Sequence, residues 1–532
     1  MSQPGFVIRG ATMFDGFGAE PRVSDVVVQE GKIASVGSSA NNDLPTIDGE
    51  GLCLAPGFID CHCHDDLAML RDPDRYEKIA QGVTAVIIGN CGFSLFPCVS
   101  GSEGWLRDHA GGLLGSLSDN EVFGEFADYK RSLLESGIGL NVVPLVGHGP
   151  LRLEVLGFDA RPANPEERDR IARRLESQLR QGAAGFSLGL VYPPSAFADP
   201  EELLALCRVA AKCGKPVAAH IRSYEAGLFD ATHEFLGLLR DSGASGVLSH
   251  LQAAGRPNWG SVSKVLLALD AASDEGIDIS FDMYPYLAGS SYALQLLPPR
   301  LLAGGVEALK NLFRSPEKRS WLKDKLDSPE EDSDGWQSKI SVIGWDSVLI
   351  AGSEVPDLKF LEGRTLEEAA KLTGCHPFDV LERLVLEENG ATSLILFQLS
   401  EGDLRSAFTH PFHMVGSDGI PRHEGRPHPR AYGAFPRVLY KLALGDQWLS
   451  VADAIRRMTS EPAKRFGLSN RGSIVLGARA DMVLFEPTFR DLATFENPRT
   501  LSAGARYVWI SGQAVLAEGC PTGLRPGRVL PE

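Results

Sequence analysis

No apolar run in the 532-residue sequence approaches the ~18 residues that a membrane-spanning helix needs. The opening residues, MSQPGFVIRGATMFDGFG, lack the basic segment followed by a long apolar one that marks a secreted protein. There is no basic excess either. The net charge is −17, which argues against nucleic acid and other polyanions as partners. Cysteine is sparse: nine residues, an odd number, spread thinly. A disulfide framework is therefore not expected. The thiols stay reduced in a cytoplasmic setting, and a working cysteine would be a ligand or a nucleophile. These absences point to a soluble cytoplasmic protein, with neither nucleic acid nor membrane expected as a partner.

What is present is ordinary globular composition, 43% hydrophobic and 23% charged, with material for a large core. Both ends read as short strands. RVSDVVVQEGKIASVG gives two strands around Gln29-Glu30-Gly31, and YVWISGQAVLAEG gives a hairpin through Ser511-Gly512. The economical arrangement is one small β-sandwich or β-barrel domain built from residues 1–54 and 471–532, with a large domain, 55–470, inserted between them.

That middle region alternates strand and helix. Short apolar runs at 57–64, 83–91, 140–148, 183–192, 215–222, 246–252, 277–286 and 413–419 suit parallel strands buried on both faces. Between them, PEERDRIARRLESQLRQG repeats Ile171, Leu175 and Leu179 at helical spacing. DPEELLALCRVAAKCG has Asp199 as N-cap, Pro200 at the first helical position and Gly214 as the stop. Eight such units predict a (β/α)8 TIM-like barrel, with a doubly wound open sheet as the rival. Residues 287–345, which include the acidic run SPEEDSDG, break the alternation after the seventh strand. An insertion there is either a lid or specificity loop, or a solvated surface excursion.

Several of the twelve histidines close strand candidates: His62 and His64 on the first, His148 on the third, His220 on the fifth and His250 on the sixth, with Asp418 closing the eighth. In a β/α barrel those ends converge on one pocket. A lone histidine there is usually structural; five with an aspartate are hard to explain that way. In FIDCHCHDD, alternation turns His62 and His64 to one face and Cys61 and Cys63 to the other, outward against helices. Asp60 shares the parity of the histidines and can orient one of them, while Asp65 and Asp66 lie in the loop beyond. Cys91, ending the second strand, is either a buried structural thiol or a metal ligand able to bridge two ions. His148 and Arg152 line the pocket floor or hydrogen-bond structurally, and no metal is assigned to His410, His413, His423 or His428.

Taken in order, LAPGFIDCHCHDD, GNCGFS, VGHGPLR, AAHIRSY, LSHLQ, FDMYPY, VGSDG and HPRAYGAFPRVL resemble the N-acyl-D-amino-acid deacylases (D-aminoacylases) of the amidohydrolase superfamily over nearly the whole chain. The resemblance implies a distorted (β/α)8 TIM-like barrel, a zinc ion held by Cys91, His220 and His250, and a second metal position at His62 and His64 with Cys91 bridging. The fourth-strand lysine that bridges two metals in many superfamily members is absent from GFSLGLVY, which agrees with Cys91 taking that place. Asp418 matches the catalytic aspartate, accepting a proton from water and delivering it to the leaving nitrogen. Zinc would polarise the amide carbonyl and make water nucleophilic near neutral pH. Tyr192, Tyr284, Ser290 and Arg430 match pocket positions, Arg430 for the substrate carboxylate.

One departure bears on the substrate. The family has a lysine two positions after the sixth-strand histidine; this chain has Gln252, which can donate a hydrogen bond but carries no charge. The carboxylate site is then weaker, or rebuilt around another base such as Arg222 or Arg256, or the substrate is an amide without a free carboxylate. The leading expectation is a zinc-dependent hydrolase of N-acyl amino acids, most plausibly the D forms. Cyclic-amide hydrolysis, deamination and a non-catalytic scaffold are the alternatives. The missing fourth-strand lysine and Cys91 speak against the first, the N-terminal β segment and the cysteine pattern against the second, and the full ligand set against the last.

Overall fold

The structure, a computed structural model, describes residues 5–37, 43–332 and 335–531. Ser333 and Asp334 of the acidic run lie outside the described residues. Strands from both ends of the chain share one mostly antiparallel sheet. Its order is Cys520–Pro521, Gln513–Ala517, Ala503–Ile510, Met482–Arg490, Cys53–Pro56, Phe6–Met13, Arg22–Gln29 and Lys32–Val36, with Thr46–Asp48 beside Phe6–Met13. Glu30 and Gly31 have φ of 51° and 73°, and Ser511 and Gly512 have 48° and 75°. Two-residue turns with both central residues left-handed match the twist of the strands they join. One face of this sheet buries Ile8, Val26, Leu54, Met482 and Trp509 in a core of its own.

Between the terminal strands, eight parallel strands follow one another in chain order: Phe58–Asp60, Val83–Ile88, Asn141–Gly147, Gly185–Gly189, Val217–His220, Gly246–Leu248, Ile279–Met283 and His413–Val415. Each apolar run read as a strand contains one of them. Every residue in the eight is buried, which is why the runs are continuous and do not alternate with polar residues. The sheet curls into a nearly closed barrel. Its first and eighth strands meet just past their ends, where Asp418 N donates to His62 O at 2.7 Å, His64 N donates to Gly419 O at 3.0 Å, and Cys63 pairs with Gly419.

Ile59, Ile87, Leu145, Ala218, Val247 and Met414, from six different strands, pack together inside the barrel. Cys61 belongs to this interior cluster, while Cys63 joins the large cluster that packs the barrel against its helices. The expectation that both cysteines turn outward therefore fails at Cys61. The strand stops at Asp60 and a bend follows, so the two-residue alternation does not run through it.

The helices start where their caps are. Asn164 and Glu167 form a capping box for Pro165–Arg180, which buries Ile171, Leu175 and Leu179. Asp199 accepts from Glu202 N at 2.8 Å at the start of Pro200–Lys212. Both caps satisfy backbone N–H groups that have no partner within the helix. After Met283 the chain leaves the barrel and returns only at His413. The excursion thus extends well beyond residues 287–345. It carries an antiparallel sheet in which Ser393–Phe397 lies between Ala288–Tyr292 and Val348–Gly352. Its later helices, Leu366–Thr373 and Pro377–Glu388, have the apolar periodicity of barrel helices, so composition alone does not set them apart. Among the described residues, no helix is long and apolar enough to cross a membrane.

Candidate active site

The C-terminal ends of the barrel strands meet at one buried point. Cys91 Sγ lies 3.3 Å from His62 Nε2 and 3.5 Å from His250 Nε2. His62 Nε2 and His64 Nε2 lie 3.6 Å and 3.2 Å from Asp418 Oδ1. Two groups of ligand-type atoms result, His62–Cys91–His250 and His62–His64–Asp418, sharing His62. His220 is in neither group, but its ring lies 4.5 Å from that of His250. Both of its nitrogens are buried with no hydrogen-bond partner.

This arrangement fits a metal. Nitrogen and sulfur ligands about 2.0–2.3 Å from a tetrahedral zinc stand roughly 3.5 Å from one another, close to the spacing of Cys91, His62 and His250. Bare imidazole nitrogens are costly in a dry interior unless something binds them, and His220 has two. A thiolate with imidazoles is a donor set suited to zinc.

Local backbone geometry aims these side chains. Cys91, His250 and Asp418 have φ of 55°, 36° and 47°, a left-handed conformation that costs a non-glycine residue about 1–3 kcal/mol. Each stands just past the end of its strand, and their clustering in one site is the pattern expected where strain serves function. A Cβ at Gly189 would lie 1.8 Å from the Cys91 carbonyl oxygen. The loop carrying Cys91 therefore lies directly against the fourth strand, the strand that lacks a lysine.

Two buried charged groups absent from the sequence reading hold the site together. Asp282, in the seventh strand, lies 3.1 Å from His62 Nδ1 and accepts from His250 N at 2.8 Å. The available signal was a carboxylate inside the apolar run ISFDM. Lys78 Nζ donates to Asp60 Oδ2 at 2.6 Å and to Ser417 Oγ at 3.0 Å. Asp60 itself was expected to orient a histidine ring. It instead accepts from Ser417 N at 2.8 Å and from His62 N at 3.4 Å, so it fixes backbone on the first and eighth strands.

The electrostatics follow from burial and neighbours. Burial disfavours charge on Asp418, yet Arg430, 2.8 Å away, together with His64 and His62, holds its carboxyl well below the usual range. Burial also opposes charge on His62, but Asp282 and Cys91 raise it well above the ordinary value. Burial, with His250 and Lys339 nearby, keeps His220 well below, and burial brings His250 down to about 3 against the pull of Asp418. Burial pushes the Cys91 thiol up to about 11, with His62 opposing; coordination to a divalent ion deprotonates such a thiol outright.

Beside the ligand-type residues is a narrow cavity of about 30 Å³, lined also by Tyr192, Gln252, Tyr284, Ser290 and Lys339. The Arg430 guanidinium stacks over the Tyr284 ring at 4.4 Å. Arg222, expected in the pocket, does not enter it. Its guanidinium donates to Ala196 O at 3.0 Å and Ala198 O at 2.7 Å and pairs with Glu234. Arg256 is exposed. A larger cleft of about 520 Å³, lined by Arg107, Glu354 and Arg422, borders neither ligand group. His148 and Arg152 take the structural alternative: both engage the buried carboxylate of Glu202, His148 Nε2 at 2.8 Å. Among the described residues, His410, His413, His423 and His428 belong to neither ligand group.

Comparison with known proteins agrees with this geometry. An amidohydrolase family model matches residues 351–516. The chain is 34% identical over 527 residues to N-acyl-D-glutamate deacylase of Alcaligenes xylosoxydans xylosoxydans, covering 98% of this chain and 96% of that protein. It superposes with a TM-score of 0.83 and 32% identity, over 99% of both chains, on a D-aminoacylase with a binuclear metal centre that shows one-metal activation and second-metal attenuation. The same TM-score of 0.83, 32% identity and 99% coverage of both chains apply to N-acyl-D-glutamate deacylase of Bordetella bronchiseptica, complexed with zinc and a phosphonate that mimics the tetrahedral intermediate.

Proposed function

The chain belongs to the N-acyl-D-amino-acid deacylase family of the amidohydrolases, and from that premise we propose that it hydrolyses the amide bond of an N-acyl-D-amino acid, releasing a carboxylic acid and the free amino acid. The observation that carries this reading is the meeting of His62, Cys91 and His250 with Asp418 at one buried point. His62, His64, Cys91, His220 and His250 are the residues that would hold zinc, His220 and His250 with Cys91 at one position and His62 and His64 toward a second. When bound, zinc polarises the amide carbonyl and makes water nucleophilic near neutral pH.

The remaining chemistry belongs to the chain. Asp418, kept ionised by Arg430, takes a proton from the attacking water and passes it to the leaving nitrogen. Tyr192, Gln252, Tyr284 and Ser290 contact the acyl amino acid in the cavity, with Arg430 behind Tyr284. The excursion contributes Ser290, Lys339 and Leu396 to the cavity lining, which limits access of bulk water. A cytoplasmic setting suits nine unpaired cysteines.

Gln252 favours a second reading, an amide substrate without a free carboxylate, because its neutral side chain replaces a cation. Zinc analysis of the purified protein, followed by hydrolysis assays on N-acyl amino acids of both hands, dipeptides and carboxylate-free amides, separates the two. Zinc binding with turnover of N-acyl-D-amino acids supports the proposal. Preference for carboxylate-free amides supports the second reading, and absence of zinc with no activation on its addition refutes both.

A further inference from the structure

The cavity is strongly uneven in charge. Next to the ligand-type cluster its lining is neutral hydrogen-bonding surface: Gln252, Gln295, Gln398, Tyr284, Ser290. Gln252 Oε1 accepts from Tyr284 OH and from Gln398 Nε2, each at 3.2 Å, so that side chain is fixed within an uncharged network. Among the described residues that line the cavity, a single one is lysine or arginine: Lys339. Arg430 is engaged with Asp418 at 2.8 Å, and Arg222 faces Glu234, away from the cavity.

Lys339 does not come from the barrel. It opens the short helix Lys339–Ile343 of the excursion. The residue before it, Ser338, is fully buried and donates to Leu326 O at 2.6 Å, which anchors the segment. The ammonium meets Glu225, from the loop after the fifth strand, and the two side chains are only 12% and 9% exposed. Glu225 is held in turn, its Oε2 3.3 Å from both Ser223 Oγ and Tyr224 N. An ammonium has three donors. Glu225 takes one, and Lys339 itself lines the cavity beside Gln252 and Tyr284.

We infer that Lys339 is a specificity-determining residue that binds the α-carboxylate of the N-acyl amino acid, supplying from the excursion the positive charge that Gln252 does not supply from the sixth strand. Glu225 positions it. This inference rests on the deacylase reading and deepens it. It also gives the excursion a role in substrate selection.

The test compares Lys339→Met with the unmodified protein, zinc-loaded, on the best N-acetyl-D-amino acid and on its carboxamide, which lacks the charge. The expected result is a KM for the acid raised about tenfold or more, the range for loss of a hydrogen bond to a charged group. The kcat and the kinetics on the carboxamide should stay nearly unchanged. Adding Gln252→Lys to Lys339→Met should restore the lower KM, which also separates a binding role from a folding defect. Equal losses on acid and carboxamide, an unchanged KM for the acid, or failure of the double substitution to restore it overturns the inference. If the unmodified protein hydrolyses N-acyl-D-amino acids and Lys339→Met is indifferent, this inference alone falls. If the unmodified protein hydrolyses none of them, the deacylase reading falls and takes this inference with it.

Discussion

His62 Nδ1 stands 3.1 Å from Asp282 Oδ2, so one carboxylate in the seventh strand sets the ring of a residue on the first. The contact holds Nδ1 against the carboxylate and turns Nε2 toward Cys91, 3.3 Å away. A carboxylate behind a ligating histidine fixes its tautomer and raises its basicity. Asp282→Asn should therefore weaken zinc binding by about 10–100-fold, with activity recovering in excess zinc. Chelator competition reads the affinity, and an unchanged value would remove Asp282 from the metal-supporting role.

Asp418 should behave differently. Asp418→Asn removes the proton carrier but leaves the His62–Cys91–His250 group whole. The kcat should fall by about 10²–10⁴-fold, while zinc stays bound at Cys91, His220 and His250. Turnover near the unmodified rate would show that another residue moves the proton.

Gly189 offers a test of how Cys91 is held. A methyl group there would collide with the Cys91 carbonyl oxygen, and overpacking of this kind costs about 1–3 kcal/mol. Gly189→Ala should lower Tm and the zinc content together. Gly237→Ala is the control: that glycine sits in the helix Leu228–Ser242 with nothing within 4 Å of an added Cβ, and alanine there should be neutral or stabilising. Full zinc content in Gly189→Ala would mean that the Cys91 loop can move without losing the ion.

Stability in acid should depend on Glu202. Burial raises its pKa, but His148 and Arg152 outweigh that and hold it below the ordinary value of 4.5. A carboxylate depressed in the folded state stabilises it fully above that ordinary value, and the contribution is lost as pH falls below it. Glu202→Gln leaves the buried Arg152 charge unpaired, at a cost of about 3–5 kcal/mol. Thermal melts should show a large Tm gap between the two proteins near neutrality, narrowing below about pH 4.5. A gap constant with pH would mean that Glu202 acts through packing alone.

The parts legible in sequence were those governed by local pattern. Barrel strands buried on both faces read as unbroken apolar runs, and the hairpins at Glu30-Gly31 and Ser511-Gly512 followed from turn chemistry. The strand-end histidines, Cys91 and Asp418 could be collected because a barrel brings strand ends together whatever their spacing. What failed depended on direction or on distance. Cys61 was turned the wrong way because alternation was carried past the end of a strand. Arg222 is a base that could stand in for the missing lysine, but its guanidinium pairs with Glu234. Lys339 lies in a segment with no periodic signal, and only the folded excursion brings it beside Gln252.

The seam between the first and eighth strands is made by the site itself, through His62 and His64 on one side and Asp418 and Gly419 on the other. A chain still emerging from the ribosome has one side of that seam early and the other only near the end of synthesis. Until the last strand docks, the barrel stays open and Asp418 has no histidines to meet. On the proposed role of Asp418, truncated products are expected to be inactive, and turnover would itself report that the whole barrel has closed.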